Sequence, residues 1–207
     1  MAHNLANAST AGFRGDRVFA RLMEGGGPEA VAATDTRAGT VTPTGRPLDV
    51  ALEGEAYLVV GTGAGERYVR GGSFTLDPRG LLVTGEGYPV LSETGPLILP
   101  PGQVVIHPAG EVTVDGAPVG RLRVERAGAP PVREGANMWV PQGPSAQQPG
   151  VDVRIRSGHL EESNVDPVSA LVEMIEIQRA YGAVHRSLQA VDEVMQTITS
   201  DLGRVGG

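Results

Sequence analysis

Ten apolar or aromatic residues near the end of the chain, Ala170, Met174, Ile177, Tyr181, Val184, Leu188, Val191, Met195, Ile198 and Leu202, follow one another in alternating steps of four and three. A stripe that repeats every 3.5 residues is the seam of a coiled coil, whereas the contact stripe of a helix lying on a sheet drifts with the 3.6-residue period. A short core helix can carry such a stripe, but more than four heptads in unbroken register favour a partner helix. The pattern predicts one helix over 167–202, where no Pro follows Pro167, Gly182 is the only Gly, and Ala, Leu, Glu, Gln, Arg and Met predominate. Asp166 is placed as the N-cap with Pro167 just inside, and Gly203, Gly206 and Gly207 mark the end. About 36 residues at 1.5 Å each make a rod of about 54 Å. Over Asp166–Leu202, six acids (Asp166, Glu173, Glu176, Asp192, Glu193, Asp201) against Arg179 and Arg186 give a net charge of −4. Its seam requires a partner.

Between Gly25 and His159 the pattern changes to short β-rich runs separated by Gly, Pro, Asn and Asp. The predicted strands are Tyr57–Val60, Tyr68–Arg70, Phe74–Leu76, Leu81–Thr84, Pro89–Leu91, Val104–Ile106, Glu111–Val114 and Pro118–Glu125. Asp77-Pro78-Arg79-Gly80 suits a type I turn that folds Phe74–Leu76 back on Leu81–Val83, and Asp115-Gly116 is a two-residue hairpin signal. Alternation over Gly120–Arg126 gives one wet and one packed face. Leu48, Val50, Leu52, Leu58, Val60, Phe74, Leu76, Leu81, Val83, Val112 and Val114 are expected to share one core. Gly128–Gly150, rich in Pro, Gly and Gln around Met138-Trp139-Val140, reads as a loop or linker. Ala2–Ala8, followed by Ser9, Thr10 and Gly12, reads as the end of a helix, too short to cover more than two turns of a ten-turn partner. The fold class is therefore a mainly β domain, irregular, antiparallel and hairpin-rich, plus one long C-terminal α-helix making coiled-coil contacts. The domains are 1–24, a remnant of an N-terminal helix and loop; 25–160, a β-rich outer domain; and 161–207, an assembly helix.

Composition narrows the chemistry. The chain has 207 residues, of which 30 are Gly and 16 Pro, which excludes an all-helical fold; hydrophobic residues at 40% and charged residues at 20% are ordinary for a globular chain. A formal charge of −7, with all 17 basic residues Arg and none clustered, gives no footprint for nucleic acid or an anionic membrane. Without cysteine there is no disulfide, thiolate metal site or Cys nucleophile. No apolar run reaches the roughly 20 residues of a membrane span, and residues 1–13 lack the pattern of a secretory signal.

Several segments resemble those of the bacterial flagellar rod and hook family. Asn4-Leu5-Ala6-Asn7-Ala8-Ser9-Thr10-Ala11-Gly12-Phe13-Arg14 is similar to its NLANxxTxGFR/K segment, Thr44 to Gly54 to its TGNPLDVAIEGDGFF motif, and Tyr68 to Asp77 to YTRxGxFxLD. Leu81-Leu82-Val83-Thr84 with Gly87-Tyr88-Pro89-Val90-Leu91 matches LVTxxGxPVL; Gly158 to Asp166 resembles GxLExSNVD, and Met174 to Tyr181 resembles MIxxQRAY. The short interval between Phe13-Arg14 and Thr44 favours the proximal-rod over the distal-rod branch. The resemblance implies a non-catalytic structural subunit of the basal-body rod, the periplasmic drive shaft. It implies an inner layer of N- and C-terminal helices inside an outer β domain, polymerisation with other flagellar rod subunits into a helical tube, and export by the flagellar type III apparatus without a cleaved signal. Two departures stand out. The family's long N-terminal helix is not seen ahead of the Asn4 motif, which points to a shortened sequence or a misassigned start. Arg46 stands where Asn is usual, and Glu55-Ala56-Tyr57 where Asp-Gly-Phe is usual.

Catalytic, metal and cofactor-binding residues are expected to be none. His3, His107, His159 and His185 lie far apart, and none has a His or Cys at ligand spacing. Gly61-Thr62-Gly63-Ala64-Gly65 fits neither a dinucleotide nor a phosphate loop and reads as a strand-end loop. Arg14-Gly15-Asp16 spells an adhesion tripeptide, a triplet that chance supplies readily. Glu161 and Glu162, adjacent and therefore on opposite faces of a strand, read as charges at the helix approach favoured by its dipole. The expectation is thus no nucleic acid, no membrane insertion and no small-molecule substrate. The alternative, a carbohydrate- or peptidoglycan-binding β protein with a coiled-coil multimerisation helix, needs aromatic clusters that 4% aromatics scarcely supply.

Overall fold

The structure is a computed structural model that describes residues 2–22, 28–135, 137–144, 146–147 and 152–205. Among the described residues a five-residue helix, α1 (Ala2–Ala6), comes first, twenty short strands follow, and α2 (Pro167–Val205) comes last. The β region is built from a six-stranded antiparallel sheet with the strand order 129–134, 138–142, 65–69, 57–62, 124–126 and 146–147. Two three-stranded sheets (154–157, 49–53, 71–73 and 104–106, 111–114, 117–121) pack with it, and four two-stranded pairs complete the fold.

Alternation explains how one sheet serves two cores. Along 57–62, Leu58 and Val60 enter the main cluster with Val50, Leu52, Val69, Phe74, Leu82, Val112 and Ile155, while Val59 faces the other way. On that second face Val59, Tyr68 and Trp139 form a smaller cluster. The Tyr57 and Tyr68 rings stack there at 5.1 Å.

Both predicted turns form. Gly80 N donates to Asp77 O at 2.9 Å and Thr75–Leu76 pairs with Leu82–Val83; Asp115 (φ 50°) and Gly116 (φ 82°) make the tight turn between 111–114 and 117–121. The Gly61–Gly65 segment is a hairpin turn, with Thr62 opposite Gly65.

Three expectations are corrected. Leu76 is 39% exposed, because its strand is only two residues long and Leu82, directly opposite, takes the interior place; Leu81 is half-buried, and Val83 is buried outside the main cluster. Within the segment read as a loop, Ala129–Glu134 and Met138–Gln142 are strands that pair at the edge of the large sheet, with a register shift between Ala129 and Val132 beside Pro130 and Pro131. An edge tolerates proline because its outer N–H groups need no strand partner. Alternation fails within 120–126, since the strand breaks after Arg121 and resumes at Val124, placing Leu122 and Glu125 both inside. Glu125 is held by the Tyr68 hydroxyl at 2.7 Å and Arg123 Nε at 2.5 Å. Asp16–Leu22 and Pro28–Thr34 form a seven-pair antiparallel hairpin. Arg46, unusual in its motif, closes the 46–49 turn by binding the buried Asp49 carboxylate through Nε (2.9 Å) and Nη2 (2.8 Å).

Candidate assembly interface

α2 begins where the sequence placed it. Asp166 accepts Val168 N at 3.2 Å, and Ser169 N at 3.3 Å and Oγ at 2.6 Å, which satisfies the free donors of the first turn. The Ser169 hydroxyl, aided by those two backbone donors, holds the Asp166 carboxyl below its usual range. The helix runs 39 residues, about 58 Å at 1.5 Å per residue, and passes through Gly203 to Val205.

The seam divides in two. Ala170 is buried and Met174 half-buried where α1 lies against the first turns. From Ile177 onward the seam faces solvent: Tyr181 is 75% exposed, and Ile177, Val184, Leu188, Val191 and Met195 lie between 54% and 60%. Among the described residues of α2 beyond Ala170, none is buried. Ile198 and Leu202 belong to the helix, but their side chains lie outside the described residues. An apolar stripe of this length left in water is uncommon for a stable soluble helix.

A polar clamp fixes the root of α2 to the N-terminal segment. Gly12 N donates to Glu161 O at 2.7 Å and Asn164 N to Phe13 O at 3.2 Å, so the two segments lie side by side. Asn164 Oδ1 accepts Gly15 N at 2.7 Å, and its Nδ2 donates to Asp35 O and Arg37 O. Asn4 reciprocates with Asp16, donating to its carbonyl at 2.7 Å and accepting its N–H at 2.9 Å. A side chain at Gly15 would crowd this joint, since a Cβ would stand 2.6 Å from Val165 Cγ2.

Beneath these contacts lie buried charges. Glu161 does not sit in solvent at the helix approach as expected. It is buried in strand His159–Glu161, with Arg14 Nη2 at 3.6 Å and Arg70 Nη2 at 3.4 Å, both guanidiniums buried too. Its neighbour Glu162 points outward to Thr42 Oγ1 at 2.9 Å, the opposite-face arrangement expected of adjacent strand residues. Arg70 also donates to the carbonyls of Leu52, Gly54 and Ala56; burial pushes its pKa down, opposed by Glu161. Arg14 donates to Thr36 O. Its burial removes the Arg14-Gly15-Asp16 triplet from any adhesive role. Arg133 lies between the rings of Phe13 (4.9 Å) and Trp139 (5.1 Å), with Asp16 Oδ2 at 3.0 Å, and donates to Arg14 O.

The arrangement offers no reaction chemistry. Three of the carboxylates around the groove beside α1 are engaged: Asp16 by Arg133, Asp35 by Arg37 and Arg17, Asp166 by Ser169. The hydrogen bond from Arg37 holds the Asp35 carboxyl at about 2. Among the described residues no three His, Asp or Glu side chains gather for a metal, and no described helix is long and apolar enough to cross a membrane. Arg133 escaped the sequence reading; Asn4, Arg14, Arg70 and Asn164 stood inside recognised motifs without an assigned part.

Two family models match the chain. Residues 51–114 match the flagellar hook protein FlgE/F/G D1 domain, and residues 156–201 match the C-terminal region of the flagellar basal body rod FlgEFG proteins. The flagellar basal-body rod protein FlgF of Caulobacter vibrioides is 34% identical over 99% of this chain and 91% of its own length. FlgF of Escherichia coli K12 is 36% identical over 93% and 86%, and the rod protein FlgG of Bacillus subtilis is 30% identical over 97% and 91%.

Proposed function

The chain belongs to the FlgF/FlgG family of flagellar basal-body rod proteins, and from that membership we propose that it is a structural, non-enzymatic subunit that builds the rod by burying the α2 seam against helices of neighbouring subunits. The observation that carries this reading is the uncovered seam from Ile177 to Met195 on a helix rooted in a rigid clamp. Segments 1–24 and 161–207 then belong to the assembly layer and 25–160 to the outer domain. Within the family we read the chain as FlgF, on the 34% and 36% identities to FlgF proteins against 30% to FlgG and on the short interval before Thr44. The reading places the subunit in the periplasmic rod, delivered by the flagellar type III apparatus, with other rod proteins as its partners.

Leu188→Asp tests it. Leu188 is 58% exposed in the single chain, so the substitution leaves the fold intact, whereas an aspartate buried between helices costs several kcal/mol. The expected result is loss of motility and of rod incorporation, with unchanged circular dichroism and Trp139 fluorescence of the purified chain. Normal motility sinks the proposal.

A further inference from the structure

A cavity of about 180 Å³ opens in the β region, and none of its lining residues belongs to α2. Its floor is apolar, made by Val69, Phe74 and Met138. Two glycines on the lining leave the space clear: a Cβ built on Gly72 or Gly85 would meet no atom within 4 Å. A cavity of about 150 Å³ takes up a benzene molecule, so this one holds a single side chain and is too small for a helix or a strand. Two polar groups of the lining are unengaged among the described residues. Glu86, the one charged residue there, has no cation beside it, and the half-buried Asn137 amide makes no hydrogen bond. Cations close by in the chain are committed elsewhere. Arg46, which donates to the lining residue Ser73 at 2.5 Å, is held by Asp49, and Arg70, next in sequence to Val69, faces Glu161.

We propose that this cavity receives an arginine side chain presented by a partner protein. The apolar floor suits the methylenes of the side chain, and Glu86 supplies the opposite charge. A planar guanidinium donates two parallel hydrogen bonds to a carboxylate and keeps further N–H groups for an amide oxygen such as that of Asn137. A lysine ammonium is a compact, strongly hydrated charge without that fork, so it satisfies both groups less well. A neutral guest leaves the carboxylate unbalanced, and an acidic one is repelled by it. The site lies apart from the α2 seam, and its test stands or falls independently of the rod-subunit reading.

The probe is N-acetyl-arginine N-methylamide, titrated into the full-length chain and followed by NMR. Saturable shifts are expected at the Gly72 and Gly85 amides, the Asn137 side-chain amide and the Met138 methyl, with a Kd in the millimolar range. The matching citrulline derivative keeps the shape of arginine without its charge and should bind about tenfold more weakly. Glu86→Gln should weaken the arginine probe by the same factor, and because Glu86 is exposed its melting temperature should not change. The lysine derivative should fall between arginine and citrulline. Gly85→Leu places a side chain in open space and should block the probe altogether. Equal binding of arginine and citrulline, lysine binding as tightly as arginine, or undiminished binding to Glu86→Gln or to folded Gly85→Leu overturns the proposal. So does the absence of any saturable shift by about 100 mM, far above the range expected of so small a ligand.

Discussion

Replacing Glu161 by Gln keeps the shape of the side chain and removes its charge. In the native clamp this carboxylate is the acid facing two buried guanidiniums, Arg14 at 3.6 Å and Arg70 at 3.4 Å, and it also accepts Gly39 N at 3.2 Å. A glutamine can preserve the last contact but cannot balance two positive charges. Removing one partner of a buried ion pair costs about 3–5 kcal/mol, because the remaining charge stays desolvated. Carbonyls of Leu52, Gly54, Ala56 and Thr36 already serve the guanidiniums, so the lower half of that range applies, about 3–4 kcal/mol. For a chain of this size each kcal/mol lowers Tm by roughly 2–4 °C, so the shift expected is about 6–16 °C. Calorimetry measures it, and amide exchange locates it: Gly12, Gly15 and Gly39 should lose protection more than Leu58 and Val60. A loss below about 1 kcal/mol, the size of an exposed pair, would refute the claim that Glu161 anchors the clamp.

The corrected core makes its own forecast: Leu82→Ala should destabilise by about 2–5 kcal/mol in denaturant titration, while Leu76→Ala, at a position open to water, should cost less than about 1 kcal/mol. Equal losses would show the 75–83 hairpin to be misregistered. Asp166→Ala should cost about 1 kcal/mol of helix stability, read by circular dichroism. Both Asp166 and Asp35 have folded pKa values below their unfolded ones, so their stabilisation is complete above the unfolded value near 4 and fades as pH falls. For Asp35 the loss should run from about pH 4 down to about 2, and an acid limb that is flat across this range would contradict the Arg37 and Arg17 contacts.

What the sequence made legible is what repeats locally. The start of the long helix with its N-cap at Asp166 and the turns at Asp77 and Asp115 each lie within a few residues of the partners that define them, and all are where the pattern put them. The edge pair 129–134 and 138–142 stayed hidden because its prolines and register shift are the marks of a loop, and only an edge position reconciles them with a strand. Glu161 was misjudged because its partners are distant in sequence: no local pattern shows that Arg14 and Arg70 will converge on it across ninety or more intervening residues. Asn4 and Asn164 each bind backbone rather than another side chain, and such contacts leave no complementary residue to search for.

The clamp also determines where a twisting load travels. The chain enters the β domain beside Phe13 and leaves it beside Asn164, and hydrogen bonds join those two points directly. Torque passed from one terminal helix to the other therefore crosses a bridge a few residues wide, and the sheets hang from that bridge as a side branch outside the load path. On the rod-subunit reading, bulk gained or lost in the sheets would leave this bridge unchanged. It is the small group around Asn4, Arg14, Glu161 and Asn164 that sets its stiffness.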